Sequence, residues 1–276
     1  MNSENLQKSG IRVMQENKTT LSLEDIHLSF GGIQALAGVD MDIEKGEIMA
    51  LIGPNGSGKT SILNSISGFY RPQRGDIYLE KKRINNLKPS KIAAMGVART
   101  FQNLALYSGV STVDNLLCGR HVKMRQSLLA GLLYFGPGLR SEVRHRIQVE
   151  YIMDFLELQP YRHTQVGILP YGVRKRIELG RALAMEPKVL LLDEPMAGMN
   201  MEEKEDMARF ILDIKEAKWE TVIKESPAIV LVEHEMDVVM DISDRVVTLD
   251  WGKKIAEGTP GAIKDDPTVI KAYLGE

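Results

Sequence analysis

The chain has 276 residues, 43% of them apolar, and carries 35 Lys and Arg against 37 Asp and Glu, a formal net charge of −2 at pH 7. That length buries one large core with room for an inserted subdomain, and the even charge balance excludes the broad basic face that nucleic-acid binding requires. Arg174, Lys175 and Arg176 make only a local basic cluster.

The first 20 residues are polar and mixed in charge. They lack the apolar core of a signal peptide and are expected to form a disordered tail. Residues 21–30 have strand character, and Val39, Met41 and Ile43 alternate with Asp40, Asp42 and Glu44, which predicts a half-solvated antiparallel strand. After the turn at Lys45-Gly46, residues 48–52 are apolar throughout, the pattern of a strand covered on both faces. Ile62, Leu63 and Ile66 then fall at helical spacing, and Gly68 is a helix stop. Residues 76–80 and 97–101 are further strand candidates, with a short helix starting near Ser90 between them.

From Asn103 to about Arg181 the pattern is mostly helical. Val143, Ile147, Tyr151, Ile152, Phe155 and Leu156 predict the buried stripe of one helix, with Ser141 as its N-cap. Cys118 is the single cysteine, and its apolar setting, Asn115-Leu116-Leu117-Cys118, predicts a buried thiol in a reducing compartment rather than a metal ligand. Residues 127–139 are the longest uncharged stretch, but Gly131, Gly136, Pro137 and Gly138 interrupt it and it falls short of the ~20 residues of a spanning helix. The chain is therefore expected to be soluble by itself, any membrane span coming from other subunits. Residues 189–192 and 228–232 predict two more buried strands, Met207, Phe210, Ile211 and Ile214 line one face of a helix, and residues 245–258 read as a closing hairpin around Trp251-Gly252.

Two segments carry chemistry. Gly53, Pro54, Asn55, Gly56, Ser57, Gly58, Lys59 and Thr60 form a complete GxxxxGK[ST] loop between a buried strand and a helix. Glycines there let backbone N–H groups turn inward around phosphate oxygens, Lys59 supplies a positive charge, and the helix that follows points its positive end at the same anion. Thr60 is placed to hold Mg²⁺. The second segment is Asp193-Glu194 at the end of the strand at 189–192. An acidic pair there completes an NTPase site, with Asp193 toward Mg²⁺ and Glu194 orienting or deprotonating the attacking water.

With Arg99-Thr100-Phe101-Gln102, Leu169-Pro170-Tyr171-Gly172, Leu192-Asp193-Glu194-Pro195 and Glu233-His234 added in order, the chain resembles the ATP-binding cassette (ABC) ATPases from about Leu21 to the C-terminus. The resemblance implies an α/β fold: a RecA-like P-loop NTPase core, an antiparallel β-subdomain, and a helical subdomain inserted at about residues 103–181. It implies that Phe30 stacks on adenine, that the loop from Gly53 to Ser61 binds ATP, that Gln102 senses Mg²⁺ or the attacking water, and that His234 contacts the γ-phosphate. It further implies that Gly172 faces the ATP of an opposite subunit, so that a homodimer or a heterodimer is required.

The signature departs from the common Leu-Ser-Gly-Gly-Gln, since Pro170 offers neither hydroxyl nor N–H. Asn200 likewise replaces a usual aspartate. Tyr171-Gly172, Ala197-Gly198-Met199-Asn200, Ile242-Ser243-Asp244-Arg245, Glu257-Gly258-Thr259-Pro260 and the ending Ala272-Tyr273-Leu274-Gly275-Glu276 resemble the ATP-binding subunits of branched-chain amino acid importers. That narrower resemblance implies two membrane permease subunits, a periplasmic solute-binding protein acting through them, and a place at the cytoplasmic face of the inner membrane. Lipopolysaccharide-export ATPases share a similar C-terminal Tyr-Leu-Gly-Glu and are the exporting alternative. A soluble cassette acting on ribosomes or DNA is the third, without the doubled cassette or coiled coils usual there. Residues 219–227 look longer than the importer pattern, and the sequence gives them no function.

Overall fold

The structure, a computed structural model, describes residues 19–274 except 102–103, 124–136, 218–220 and 222–224. Gln102, nearly all of the N-terminal tail, most of the uncharged stretch and most of the extra residues at 219–227 lie outside the described residues.

Alternating patterns become one sheet and unbroken apolar runs the other. Strands β1 (Thr19–Phe30), β2 (Ile33–Glu44), β4 (Arg74–Leu79) and β5 (Lys82–Arg83) form an antiparallel sheet in the order β2-β1-β4-β5. In β2, Leu36, Val39, Met41 and Ile43 are buried while Asp40 and Asp42 are exposed, as a sheet with one wet face requires. Strands β3 (Ile48–Ile52), β6 (Val97–Arg99), β7 (Val189–Asp193), β8 (Ala228–Val232), β9 (Arg245–Asp250) and β10 (Lys253–Gly258) form the second sheet in the order β10-β9-β3-β8-β7-β6. Its pairings are parallel except β9 with β10, the predicted hairpin. All residues of β3, β7 and β8 are buried.

Both faces of the parallel sheet are covered. Leu190 and Leu192 pack with α3 (Thr112–Arg120), α4 (Pro137–Phe155), α5 (Tyr171–Leu183) and α6 (Met201–Lys215), whereas Val189 and Leu191 pack with α1 (Lys59–Ile66) and the antiparallel sheet. Helix α2 (Pro89–Ala94) lies between β5 and β6, and α7 (Met236–Ile242), α8 (Pro260–Lys264) and α9 (Pro267–Leu274) complete the chain. Ile62, Leu63 and Ile66 of α1 are fully buried, and Gly68 ends that helix one residue past its C-cap with φ +76°. Phe210 of α6 is fully buried edge-on against Phe155 of α4, the predicted core face of α6.

Four expectations change. Strand β1 already includes Thr19 and Thr20, the last two residues expected in the tail. Helix α4 begins at Pro137, so Ser141 lies inside it and is not its N-cap; proline suits the first turn because its missing N–H has no intrahelical acceptor there. Its apolar stripe divides: Ile152, Phe155 and Leu156 are buried together with Val149 and Met153, but Val143, Ile147 and Tyr151 are exposed. The i, i+4, i+8 series drifts about 40° per step from the buried face at 3.6 residues per turn, which separates its early members from the core. Cys118 is exposed, because α3 turns Asn115, Leu116 and Gly119 inward and leaves Cys118 on the outer face.

Candidate nucleotide and hydrolysis site

The order of the parallel sheet places β8 between β3 and β7, so the loops after these three strands open at one edge of the sheet. After β3 the chain turns at Gly53, whose φ of +143° and tight packing exclude a side chain: an added Cβ would collide with the Leu249 carbonyl oxygen. Gly58 is the N-cap of α1 and also has positive φ, +109°. The β9–β10 turn braces the loop, with Gly252 N–H donating to Ser57 O at 2.9 Å. Tyr273 of α9 accepts the Gly53 N–H at 2.9 Å, and burial raises its phenol pKa against that bond.

Lys59 is buried and donates to the carbonyls of Gly53 at 2.7 Å and Pro54 at 3.0 Å. Burial lowers its pKa, opposed by the charges of Glu194 and Asp193. Ser57 Oγ is buried without a hydrogen-bond partner. An ammonium, glycine-turned N–H groups at a helix start and an unsatisfied hydroxyl are the donor set of a phosphate site. Asn55, Gly56 and Thr60 are exposed along its mouth, with Pro54, Gly58 and Ser61 half-buried. Phe30 ends β1, is 45% exposed, and meets Tyr70 edge-on at 4.9 Å, so it is not an ordinary core residue. The hairpin it belongs to is tied to the β9–β10 turn that braces the loop, Ala37 N–H donating to Gly252 O at 2.8 Å.

Asp193 ends β7 buried. Arg99 Nη2 donates to its Oδ2 at 2.8 Å, Arg99 Nη1 donates to Asn64 Oδ1 at 2.6 Å, and Thr100 Oγ1 accepts the Asp193 N–H at 3.2 Å. The Arg-Thr half of Arg-Thr-Phe-Gln therefore fixes the aspartate, a role the sequence reading did not give it. No local sequence signal marks it: the contact follows from β6 pairing in parallel with β7, which puts Arg99 opposite Leu191, two residues before Asp193. Phe101 N–H, next to Gln102, donates at 3.0 Å to Glu178 of α5, a buried carboxyl whose pKa burial raises against that bond.

Glu194 follows with φ +50°, the left-handed region that residues other than glycine seldom adopt. Its N–H donates to Val232 O at 2.9 Å and its Oε1 lies 2.8 Å from His234 Nε2. The sequence-predicted proton acceptor and γ-phosphate contact are thus hydrogen-bonded partners just beyond the ends of the adjacent strands β7 and β8. Glu233, just before His234, is buried and accepts the N–H groups of Met196 at 2.8 Å and His234 at 3.2 Å. Burial raises its pKa, those two bonds oppose the shift, and the charges of Glu235 and Glu194 add to it.

The signature segment explains its own departures. Pro170 is the N-cap of α5 and supplies no side-chain cap, but its carbonyl accepts the Arg174 N–H at 3.1 Å and starts the helix. The Tyr171 ring packs against Gly198, where an added Cβ would lie 3.2 Å from the ring, so Tyr-Gly in the signature and Ala-Gly after the acidic pair are two sides of one contact. Gly172 faces Glu203, and a Cβ there would overlap its carboxyl. Asn200 caps α6 in a capping box: its Oδ1 accepts the Glu203 N–H at 2.9 Å, while Glu203 Oε2 accepts the Asn200 N–H at 3.0 Å. The Asn-x-x-Glu spacing at 200–203 carried that signal.

Among the described residues no three His, Cys, Asp or Glu side chains cluster as a metal site, and no helix is long and apolar enough to cross a membrane. Mg²⁺ in a phosphate site needs only one or two carboxylates beside the phosphates; the donors of that kind here are the exposed Thr60 hydroxyl and the Asp193 carboxylate, whose Oδ2 also accepts from Arg99.

A parallel sheet with a phosphate loop after one strand, an acidic pair after another and a Glu–His pair between them defines a P-loop NTPase. The family model for ABC transporters matches residues 36–197, and the model named branched-chain amino acid ATP-binding cassette transporter matches residues 253–276. The chain belongs to the ABC transporter family, as an ATP-binding, ATP-hydrolysing cassette. It is 39% identical over 94% of its length to the high-affinity branched-chain amino acid transport ATP-binding protein BraF of Pseudomonas aeruginosa, covering 99% of that protein. LivG of Escherichia coli, which bears the same description, is 35% identical over 93% of the chain and is covered to 98%. A nucleotide-free ATP-binding cassette from an ABC transporter superposes with TM-score 0.78 at 32% identity, over 94% of this chain and 100% of that one. The ADP conformation of an ATP-binding cassette gives TM-score 0.78 at 33% identity, over 94% and 99%.

Proposed function

We propose that this cassette powers import of branched-chain amino acids or closely related small molecules through two separate permease subunits, at the cytoplasmic face of the inner membrane. The match of the C-terminal residues 253–276 to the branched-chain amino acid model carries this reading, together with relatives covered almost end to end. Those relatives rank import above lipopolysaccharide-type export and above a soluble cassette role.

In this reading two subunits sandwich two ATP molecules, each site being completed by Gly172 and the start of α5 from the opposite subunit. The loop from Gly53 to Ser61 binds the phosphates, with Lys59 supplying positive charge, and Phe30 stacks on the adenine. Glu194 takes the proton of the attacking water, and His234, hydrogen-bonded to Glu194, orients that carboxylate and contacts the γ-phosphate. Thr60, Asp193 and Gln102 would hold Mg²⁺, which when bound neutralises charge on the phosphate oxygens. Arg99 keeps the Asp193 carboxylate in place for that role. Closure and reopening of the dimer move the helical subdomain, about residues 103–181, and the permeases with it.

Pull-down of the tagged chain from detergent-solubilised membranes tests this directly. Multi-spanning permeases should co-purify, and the reconstituted complex should hydrolyse ATP faster when a periplasmic binding protein loaded with leucine is added. A complex stimulated by lipopolysaccharide instead, or no membrane partner at all, overturns the import reading.

A further inference from the structure

Lys175 lies three residues past Gly172 on α5 and is 3% exposed. A buried ammonium has to be hydrogen-bonded, and this one donates to the main-chain carbonyl oxygen of Glu194 at 3.1 Å, with the Tyr171 ring 5.8 Å away. The carbonyl belongs to the residue at φ +50°. A left-handed glutamate persists only where its surroundings over-determine it, and several bonds do so here: the N–H to Val232 O, the carboxylate to His234, and a carbonyl that accepts both the Ala197 N–H at 3.3 Å and the Lys175 ammonium. Among them, the bond from Lys175 comes from the helix whose first residues are the signature, and of the two bonds to the carbonyl it is the one with a charged donor.

We propose that Lys175 is a positioning residue that holds Glu194 in its hydrolytic orientation and ties that orientation to the seating of the signature helix. The inference rests on Glu194 as the proton acceptor. Its chemistry is a charge-assisted hydrogen bond from a rigid helix to a strained peptide unit. When α5 is drawn toward the ATP of the opposite subunit, the ammonium moves with it and carries the Glu194 carbonyl. When α5 recedes, the bond lengthens, the peptide unit relaxes, and the carboxylate leaves the line of attack; a displacement of about 1 Å at a reacting group costs ~100-fold in rate. Hydrolysis in one site thus depends on the helix that senses the other.

The test compares full-length Lys175→Met, Lys175→Gln and Lys175→Arg with wild type and Glu194→Gln, measuring ATP turnover against ATP concentration, equilibrium ADP affinity and Tm. Lys175→Met should lower kcat by about tenfold or more, pull the Hill coefficient for ATP toward 1, and leave ADP affinity within about twofold, a range set by partial misplacement of the carboxylate. Lys175→Arg, which keeps the donor and the charge, should recover most of the loss. If Lys175→Met does not fold, Lys175→Gln, a neutral donor of shorter reach, should show the same split between kcat and ADP affinity to a lesser degree. The proposal is overturned if Glu194→Gln abolishes turnover while the folded Lys175 variants keep wild-type kcat and cooperativity, or if they lose ADP affinity in step with kcat. Turnover that survives Glu194→Gln overturns instead the assignment of Glu194 itself.

Discussion

The two ends of the parallel sheet each gather charged side chains, and they do opposite things with them. At the amino-terminal ends, Arg245 begins β9, ion-pairs with Glu47 before β3 at 2.7 Å and with Glu257 of β10, and donates to Asp42 O at 2.6 Å. Next to it, Asp244 accepts the Ile48 N–H at 2.9 Å and pairs with Lys215 of α6 at 2.6 Å. Burial works against the Arg245 charge, but the hydrogen bonds and charge of Glu47, and then Glu257, outweigh it and raise its pKa. At the carboxyl ends one such pair recurs, Arg99 with Asp193, but beside it Lys59 is held by main-chain carbonyls, Ser57 Oγ has no partner, and Glu194 is strained. A network in which charge meets opposite charge ties strands together. A cluster whose cation is held by weaker dipoles, beside an unsatisfied hydroxyl and a strained acid, keeps binding capacity for a substrate. Resemblance alone did not separate the two, since Ile-Ser-Asp-Arg and Glu-Gly-Thr-Pro belong to the clamp as much as Glu-His belongs to the site.

The sharpest way to break this contrast is Glu194→Gln, which should lower ATP turnover by ~10²–10⁴-fold, the range for loss of a general base, while MgATP binding and Tm hold; phosphate release and equilibrium titration measure the two. Arg245→Met should do the reverse. It leaves Glu47 and Glu257 without their arginine and should cost about 2 kcal/mol in urea unfolding, below the ~3–5 kcal/mol of a fully buried pair because Arg245 is partly solvated, with kcat per folded molecule retained. Loss of turnover in Arg245→Met at full stability would erase the distinction.

Smaller effects sharpen it. Tyr273→Phe removes one oxygen and leaves the Gly53 N–H without its acceptor, so nucleotide affinity should fall by the equivalent of about 1 kcal/mol, measured by ADP titration, with kcat at saturating ATP unchanged. The smallest is a pH slope. Burial pushes the Glu257 carboxyl up, but Lys254 and then Arg245 outweigh burial and hold its pKa below the ordinary glutamate value. An acid with a depressed folded pKa stabilises above its unfolded pKa of about 4.3, and that contribution is lost as pH falls through the lower folded value. Glu257→Gln should therefore flatten the acid limb of stability below about pH 4.3, read from urea midpoints. Glu233, whose pKa is raised, works in the other direction: its contribution declines as pH rises from about 4.3 through the folded value.

Much of the fold was legible because its signals are periodic. Period two in β2, unbroken apolar runs in β3, β7 and β8, and the Met207, Phe210, Ile211, Ile214 face of α6 all report burial directly. The same logic failed on α4, where Val143, Ile147 and Tyr151 keep helical spacing yet face outward. Periodicity gives a face, and only packing says how far along the helix that face stays covered. Expecting Cys118 to be buried failed for a related reason, since four consecutive residues, Asn115 to Cys118, wrap a helix all round and cannot name its buried side.

What the sequence determined by itself are the parts whose physics is contiguous. A glycine loop between strand and helix imposes its own backbone, and an acidic pair at the end of a buried strand must emerge at the sheet edge, so Gly53 to Thr60 and Asp193-Glu194 could be read without a structure. The tertiary structure decided which distant groups meet: Arg99 with Asp193, Lys175 with Glu194, Arg245 with Glu47, and Tyr273 with Gly53, the last pair 220 residues apart. No local preference encodes such pairs. They follow from strand order and helix docking, which are set by burial of the whole core and not by any one segment.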